Sequence, residues 1–335
     1  MKPFALVRPE DLVAARARVV ERPSDRELRA GGIDLIDRMK EGLSAPAELI
    51  ELRSLTDEAG QAMRALAQAE GGGLQLGALL TLAQLAAAEP LGEAFAALRE
   101  AAGSAATPGI RNAATLGGNL LQRPRCWYFR NAELPCLKKG GRTCLAVTGE
   151  NKFHAILGGG PSYIVHPSTL ACALVALDAL VEVRGDAART IGISELFVSP
   201  KDDPKREHVL APGEVLVRAT LPAPRAGQRS GYAAVKEKQS HDWPLAEVAV
   251  RLSLEAGKMK DVRVALGHVA PVPWRSREAE GVLEGKPPGE ALFAEAARAA
   301  LWEARPLRDN AYKIPLAQGL LREVLHRVAG VPLPE

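Results

Sequence analysis

Residues 110–144 read IRNAATLGGNLLQRPRCWYFRNAELPCLKKGGRTC, and this stretch decides how the rest of the chain is interpreted. Its Gly117-Gly118-Asn119 turn lies a few residues before Cys126, the first of three cysteines. Glycines let a ligand approach the main chain because no Cβ stands in the way, and consecutive N–H groups in such a turn can bind a phosphate or a ring carbonyl. The side chains of Thr115 and Asn119 add a hydroxyl and an amide. The stretch therefore predicts an anion-binding loop beside a group of thiols.

A similar loop lies upstream, where Ala30-Gly31-Gly32 leads into a helical pattern of apolar residues. The free N–H groups at the start of such a helix can bind an anion. A glycine pair alone is more often only a turn, but two such loops favour a binding role. We call residues 30–36 the first glycine loop and residues 115–120 the second. Neither has the GxGxxG spacing of a Rossmann unit, which argues against a conventional NAD domain.

The composition is that of a globular protein, with 335 residues, 47% hydrophobic and 25% charged, and a net charge of +3. The length allows two or three domains, and the charge is too small to indicate nucleic-acid binding by itself. No segment has the apolar length of a membrane span, and residues 1–12 lack the apolar core of a secretory signal. Four cysteines, three of them between 126 and 144, favour metal ligands over a disulfide framework.

Periodicity and turn residues divide the chain into three regions. The first alternates strand, helix, glycine turn, helix and strand, which predicts a small α/β unit. Thr81 and Ser168 are placed to cap helices in the middle region. A linker at 222–227 leads to two alternating segments joined as a hairpin, so the last third is predicted to be a sheet with helices on one side. The predicted strands are 4–6, 47–52, 74–76, 181–183, 247–254 and 259–269, and the predicted helices are 9–20, 33–43, 81–88, 90–102, 169–179, 276–284, 289–304 and 316–328.

Five motifs follow one another in a specific order: AGGIDLI at 30–36, IRNAATLGGNL at 110–120, the cysteine stretch from LLQRPRCWYFRN onward, HPS at 166–168 and ALGHVAPVPWR at 265–275. Over essentially the whole length the chain resembles the FAD-binding medium subunits of the xanthine dehydrogenase and molybdenum hydroxylase family, and most of all the flavin and iron–sulfur subunits of bacterial aldehyde oxidoreductases.

The resemblance implies an α+β fold in two domains. A FAD-binding domain of the PCMH type would cover 1–221, with a small α/β subdomain at about 1–55 and a larger mixed sheet with helices at about 56–221. A cysteine-bearing insertion, here called the cysteine segment, would cover 122–163. A C-terminal domain of the CO dehydrogenase flavoprotein type would cover 222–335, as an antiparallel sheet with helices on one side.

The resemblance also implies a site for FAD between the two glycine loops. Asp34, a carboxylate, is expected to cap the first loop rather than touch phosphate. The cofactor-binding residues implied are Ala30, Gly31, Gly32, Ile33, Asp34, Leu35 and Ile36 of the first loop, Thr115, Gly117, Gly118, Asn119 and Leu120 of the second, and His166, Ser168 and Lys236 beyond them.

In resembling subunits, four cysteines hold a [4Fe-4S] cluster. Here Cys126, Cys136 and Cys144 match three of them, and Ser162 stands in the place of the fourth. The expected metal ligands are therefore these three cysteines and Ser162, with His154 as a further candidate and a degenerate, iron-free segment as the alternative. Cys172 is expected to be a core residue, because it lies inside an apolar helix.

The segment also carries a run of cations, which we expect to offset the charge of a cluster and of FAD phosphates or to dock a partner. A nucleic-acid surface is the less favoured alternative. The cations are Arg123, Arg125, Arg130, Lys138, Lys139 and Arg142.

By resemblance the chain is an FAD-binding electron-transfer subunit with no catalytic residue of its own. Electrons would pass from the iron–sulfur clusters of a [2Fe-2S] small subunit, which serves a molybdenum-cofactor large subunit, through FAD to a soluble acceptor. The expected complex is a heterotrimer of the aldehyde or xanthine dehydrogenase type, with no nucleic acid or membrane as partner. It would be cytoplasmic, with export alongside a partner left open.

Two alternatives stay open at this point. A stand-alone flavin oxidase or reductase would need a base over the flavin, for which His241 and Asp242 are the candidates. A cofactor-depleted assembly protein is suggested by Thr169, where relatives carry an acid, and by Ser162.

Overall fold

The computed structural model describes residues 1–238 and 241–334. Its first unit is a small parallel sheet of strands β1 (Ala5–Val7), β2 (Arg26–Arg29) and β3 (Glu48–Glu51), with helices α1 (Leu12–Glu21) and α2 (Ile33–Lys40). The strand order is β1–β3–β2, and both pairs are parallel. Parallel neighbours need a helical crossover, which α1 and α2 supply. The predicted α/β unit is confirmed.

The second unit is a five-stranded antiparallel sheet surrounded by short helices. Its strands are β4 (Leu66–Gln68), β5 (Leu74–Gly77), β6 (Leu180–Arg184), β7 (Ala188–Gly192) and β8 (Val215–Leu221), in the order β4–β5–β8–β6–β7. Its helices are α3 (Glu58–Ala62), α4 (Leu82–Ala86), α5 (Ala96–Ser104), α6 (Pro108–Ala113), α7 (Leu116–Leu120), α8 (Trp127–Arg130) and α9 (Thr169–Ala176).

Two helices of this unit differ from the sequence prediction, one because it is split and the other because it is shorter. The helix expected over 90–102 is split into a 3-10 turn at Glu89–Leu91 and α5, because Gly92 between them has φ of 43° and leaves the helical region. α9 stops at Ala176 rather than 179, and Asp178 has φ of 50°. The caps were predicted correctly, since Thr81 forms a capping box with Gln84 and Ser168 accepts from the N–H of Ala171.

The third unit is the antiparallel sheet β12–β11–β10–β9 with its own helices against one face. The hairpin between β10 and β11 turns on Ala256 and Gly257, both with positive φ, as a two-residue type I′ turn requires. The strands are β9 (Gln228–Val235), β10 (Ala246–Glu255), β11 (Lys258–Gly267) and β12 (Trp274–Arg275), and the helices are α10 (Arg277–Leu283), α11 (Glu290–Ala300) and α12 (Lys313–Ala329).

Both faces of this third sheet are buried, which the alternating pattern did not predict. Val248, Val250 and Leu252 of β10 pack with α10–α12, whereas Ala249 between them belongs to the core of the second unit. The helix against this second face is α9, which also packs on α5 and whose eight residues are all buried. The sheet therefore has its own helices on one side, as predicted, and a helix of the preceding unit on the other.

The cysteine segment connects the units rather than standing apart from them. Cys136 and Thr143 form a bridge that closes its central loop. Farther on, Ile156 and Leu157 enter the core of the third unit, and their N–H groups donate to the carbonyl of Val269. No helix among the described residues is long and apolar enough to cross a bilayer. This mixture of helices with parallel and antiparallel sheets confirms the predicted α+β class.

Candidate functional site

The two glycine loops line one cavity of about 390 Å³, a size typical of small-molecule and cofactor sites. The first loop comes from the first unit and the second loop from the second unit, so the cavity lies between them. Eleven of the predicted cofactor-binding residues line it: Ala30, Gly31, Gly32, Ile33, Asp34, Leu35, Thr115, Gly117, Gly118, Asn119 and Lys236.

The first glycine loop presents free backbone donors to the cavity. Gly32 is the N-cap of α2, with φ of 78°, and makes no side-chain cap. Among the described residues, the N–H groups of Ile33, Asp34 and Leu35 have no hydrogen-bond acceptor. The start of α2 therefore fits an anionic group such as a pyrophosphate.

The second glycine loop does not present donors in this way, which corrects the prediction from its glycines. It is the single helical turn α7, and its N–H groups are already used within the second unit. Gly117 donates to the carbonyl of Ala78 at 2.8 Å, Gly118 to Thr115 Oγ1 at 3.2 Å and Asn119 to the Thr115 carbonyl at 2.8 Å. This loop can give the cavity shape and a closely approachable backbone, but not a row of free N–H groups.

Gly31 is required by the contact between the two units. A Cβ at this position would lie 2.1 Å from the carbonyl oxygen of Ala113, at the end of α6. Real Cβ atoms do not approach oxygen so closely, so any larger residue must separate the first glycine loop from the second unit. The glycine thus brings the two walls of the cavity together, a function that the sequence interpretation assigned only to ligand approach.

Asp34 does not cap the first glycine loop, contrary to the prediction. Its carboxylate lies 2.5 Å from Arg130 Nη2, 3.3 Å from Arg125 Nη2 and 3.1 Å from Arg38 Nε, and it accepts the N–H of Arg123 at 3.1 Å. Burial alone would raise the pKa of Asp34, but the charges of these arginines outweigh it and hold that pKa below its usual value. The carboxylate stays ionised and joins the first glycine loop to the cysteine segment.

The remaining predicted cofactor residues lie outside the cavity lining. Ser168 Oγ donates to Asn119 Oδ1 at 2.7 Å, which anchors the second glycine loop to the start of α9. His166 accepts the N–H of Ser168 and packs its ring on Phe197. Its burial lowers the pKa of His166 to about 3, so the ring is neutral. Ile36 and Leu120 point into cores.

Cations and aromatics outside the predicted set of cofactor-binding residues also line the cavity. Arg38 and Arg125 are among them, and the Arg125 guanidinium lies 5.0 Å from the centre of the Trp243 ring. His241 and Asp242, the candidate bases, line it too. Lys236 donates to the carbonyl of Ser104 at 3.0 Å. Arg125 was visible in the sequence only as part of a charge run, and Trp243 gave no signal.

A buried polar group lies behind the cavity wall. Glu247 has no exposed surface, accepts from the hydroxyl of Tyr232 at 2.7 Å and pairs with His268 Nδ1 at 3.1 Å. Burial raises the pKa of Glu247, but His268 and hydrogen bonds from His268, Tyr232 and Thr169 hold it below its usual value. Thr169 lines the cavity, so this group connects α9, the third sheet and the cavity.

The cysteine segment holds a thiol–imidazole pair instead of a convergent set of four ligands. Cys126 Sγ lies 3.2 Å from His154 Nε2. Burial raises the pKa of the Cys126 thiol to about 12, while burial, followed by the charge of Lys313, lowers the pKa of His154 to about 4, so both are neutral. Within 1–238 and 241–334, no three His, Cys, Asp or Glu side chains are arranged to hold a metal ion.

The other predicted positions of the segment are buried. Cys136, Cys144 and Ser162 are 4%, 8% and 1% exposed. Cys172 is fully buried in α9 and its thiol lies 3.5 Å from the Ala265 carbonyl, which confirms it as a core residue.

Most cations of the segment pair with carboxylates of the protein, a role that the prediction did not include. Arg123 Nε and Lys138 Nζ both pair with Glu207, at 2.8 and 2.7 Å. Arg125 pairs with Asp37 of α2, and Arg130 pairs with Asp34 of α2 and with Glu41 directly after it. These pairs fasten the segment on both sides.

Comparison with known proteins agrees with this architecture. A family model described as the FAD binding domain in molybdopterin dehydrogenase matches residues 2–224, and one described as the CO dehydrogenase flavoprotein C-terminal domain matches 230–328. The chain is 34% identical over 318 residues to the aldehyde oxidoreductase FAD-binding subunit PaoB of Escherichia coli, covering 93% of this chain and 94% of the relative. It is 25% identical over 329 residues to the carbon monoxide dehydrogenase medium chain of Afipia carboxidovorans, covering 97% and 96%.

Solved structures show the same fold. A chain of reconstituted CO dehydrogenase from Oligotropha carboxidovorans superposes with a TM-score of 0.77 at 22% identity, over 99% of each chain. A chain of quinoline 2-oxidoreductase from Pseudomonas putida 86 gives 0.74 at 22% identity, over 98% and 99%.

Proposed function

The chain belongs to the family of FAD-binding subunits of molybdenum hydroxylases, and on that premise we propose that it binds FAD between its two glycine loops and transfers electrons within a multi-subunit oxidoreductase. FAD supplies one- and two-electron chemistry. It would take electrons from the iron–sulfur clusters of a small partner subunit, which serves a molybdenum-cofactor large subunit, and deliver them to a soluble acceptor.

The observation that carries the proposal is the cavity itself. The first glycine loop places at it three N–H groups of α2 that have no acceptor within 1–238 and 241–334, and Arg38 and Arg125 add positive charge beside them. Such a wall fits the pyrophosphate of FAD. The other wall contains apolar side chains such as Leu79, Leu82 and Leu216, which suit a flat ring system. The chain's own part is to bind, orient and shield.

The test is flavin content after purification, with glycine variants that alter one wall at a time. Gly118→Val adds bulk where a Cβ already lies 3.0 Å from Thr115 Oγ1, and Gly31→Val separates the units. Both should lose FAD, whereas Gly319→Val on the open surface of α12, where a Cβ meets nothing within 4 Å, should keep it. Stoichiometric FAD in both loop variants would refute the assignment.

A stand-alone flavin enzyme is the second candidate, because His241 and Asp242 both line the cavity. The isolated, FAD-loaded chain distinguishes the two. Reduction of its flavin by an aldehyde without any partner would favour the second candidate, and reduction only when the partner subunits are present would favour the electron-transfer subunit.

The [4Fe-4S] cluster remains a prediction of the resemblance. Cys136 forms a β-bridge with Thr143, the residue before Cys144, and Cys126 is paired with His154. No three candidate ligands converge among the described residues, so a cluster would require these side chains to rearrange. Iron analysis of anaerobically purified protein decides it. About four irons per chain would establish the cubane, and flavin without iron would reduce the cysteine segment to a structural connection.

A further inference from the structure

The helix that follows the first glycine loop also fastens the cysteine segment. Asp34, Asp37 and Glu41 lie on one face of α2 or directly after it, at i, i+3 and i+7. Asp37 Oδ2 is 3.0 Å from Arg125 Nη1, and Glu41 Oε2 is 3.0 Å from Arg130 Nη1. Asp34 pairs with both arginines. The acids of α2 therefore hold the two arginines that flank Cys126.

Arg130 is the more deeply placed of the two and does not line the cavity. Its side chain is 9% exposed. Besides Asp34 and Glu41, its guanidinium donates to the carbonyls of Pro124 at 2.6 Å and Arg123 at 3.0 Å. One side chain thus holds the Asp34 carboxylate and the backbone that leads into Arg125.

Arg125 faces the cavity. Its guanidinium lies over the Trp243 ring, pairs with Asp34 and Asp37, and lines the same wall as the free N–H groups of α2. A phosphate at the start of α2 would meet this charge, and the arrangement of Arg125 depends on the backbone that Arg130 fixes.

We propose that Arg130 is a positioning residue for the cofactor site, through which FAD binding and the folded state of the cysteine segment stabilise each other. The inference rests on the proposed function, since FAD is the anion concerned. Coupling of this kind is reciprocal, and its typical size is about 5- to 150-fold. The factor by which bound FAD stabilises the folded state of residues 123–142 should therefore equal the factor by which that folded state raises the affinity for FAD. A change that loosens these residues should weaken FAD binding accordingly.

The first measurement is FAD affinity by fluorescence titration of the full chain. Arg130→Met should weaken FAD binding by about tenfold or more, although Arg130 lies outside the cavity. Arg130→Lys should recover part of this lost affinity, because one charged donor remains. Arg184→Met is the matched control, since Arg184 is half exposed on β6 and pairs only with Glu182 among the described residues. Equal affinity of Arg130→Met and the natural protein would overturn the proposal.

The second measurement follows residues 123–142 directly, in the natural chain and in Arg130→Met. Hydrogen–deuterium exchange of peptides within 123–142 is compared with and without saturating FAD. Slow exchange in peptides of the β10–β11 hairpin serves as the control that the protein is folded. FAD should slow exchange in 123–142 in the natural chain and not in Arg130→Met. Unchanged exchange in the natural chain with FAD bound would overturn this inference alone, whereas failure of the natural chain to bind FAD would overturn the proposed function together with it.

Discussion

Replacing Glu247 with glutamine should destabilise the protein while leaving its shape almost unchanged. Glu247 is fully buried, and His268, whose Nδ1 lies 3.1 Å from its carboxylate, is 3% exposed. A hydrogen bond to a charged group contributes about 1.5–3 kcal/mol to stability, against about 1 kcal/mol for a neutral one. The amide keeps a carbonyl oxygen for the Tyr232 hydroxyl but lacks the charge, so we expect a loss of about 2 kcal/mol. Tyr232→Phe, which removes one hydrogen bond to the charged carboxylate, should cost about 1.5 kcal/mol.

The stability that Glu247 contributes depends on pH in a definite direction. The pKa of Glu247 is lower in the folded protein than its usual value of 4.5. The unfolded state therefore binds the proton first as the pH falls. The stability that the ionised carboxylate contributes is fully present above pH 4.5 and is lost as the pH falls through the folded-state pKa. The difference in unfolding free energy between the natural protein and Glu247→Gln should therefore shrink as the pH falls below 4.5.

Urea unfolding followed by circular dichroism measures both effects. Glu323→Gln, the same change at an exposed position of α12, should stay within about 0.5 kcal/mol of the natural protein. A loss below about 1 kcal/mol for Glu247→Gln, the value of an ordinary hydrogen bond, would refute the reasoning that the buried carboxylate, bonded by Tyr232 and by Thr169 of α9, stabilises the contact between α9 and the third sheet.

Three further predictions concern buried titratable groups. Because burial raises the pKa of Cys126 to about 12, its alkylation by iodoacetamide in the metal-free chain should keep accelerating beyond pH 10, and a plateau near pH 9 would contradict this. Burial lowers the pKa of Lys313 to about 7, so the natural protein should gain stability between pH 7 and 10 that Lys313→Met does not gain; a constant difference in Tm across that range would be inconsistent with it. Glu207→Gln leaves Lys138 and Arg123 without their carboxylate and should cost about 3 kcal/mol in urea unfolding, whereas an unchanged midpoint would show that these pairs are dispensable.

Local signals in the sequence predicted most of the elements. The capping residues Thr81 and Ser168 and the turn at Gly257 act within a few residues of themselves, so their effect can be inferred without the fold. The two glycine loops were likewise assigned to one cavity, because their resemblance to a known family supplied the long-range relation that local patterns lack.

The sequence failed where partners are distant along the chain. Asp34 looked like a local cap, but two of its three arginine partners come from residues about ninety positions later. The N–H groups of the second glycine loop looked free, but Ala78 and Thr115 accept three of them. Gly31 is fixed by a carbonyl of α6. Each of these facts depends on which surfaces meet, and periodicity carries no information about that.

The position of α9 between two cores has a consequence for the synthesis of the protein. α9 is translated before β10 and β11, so its apolar face has no cover while the ribosome completes the chain. A shortened chain that ends before the hairpin would keep this face in water and self-associate. The two halves matched by separate family models should therefore complete their folding together. A chaperone that shields apolar surfaces should bind the nascent chain until the hairpin emerges from the ribosome.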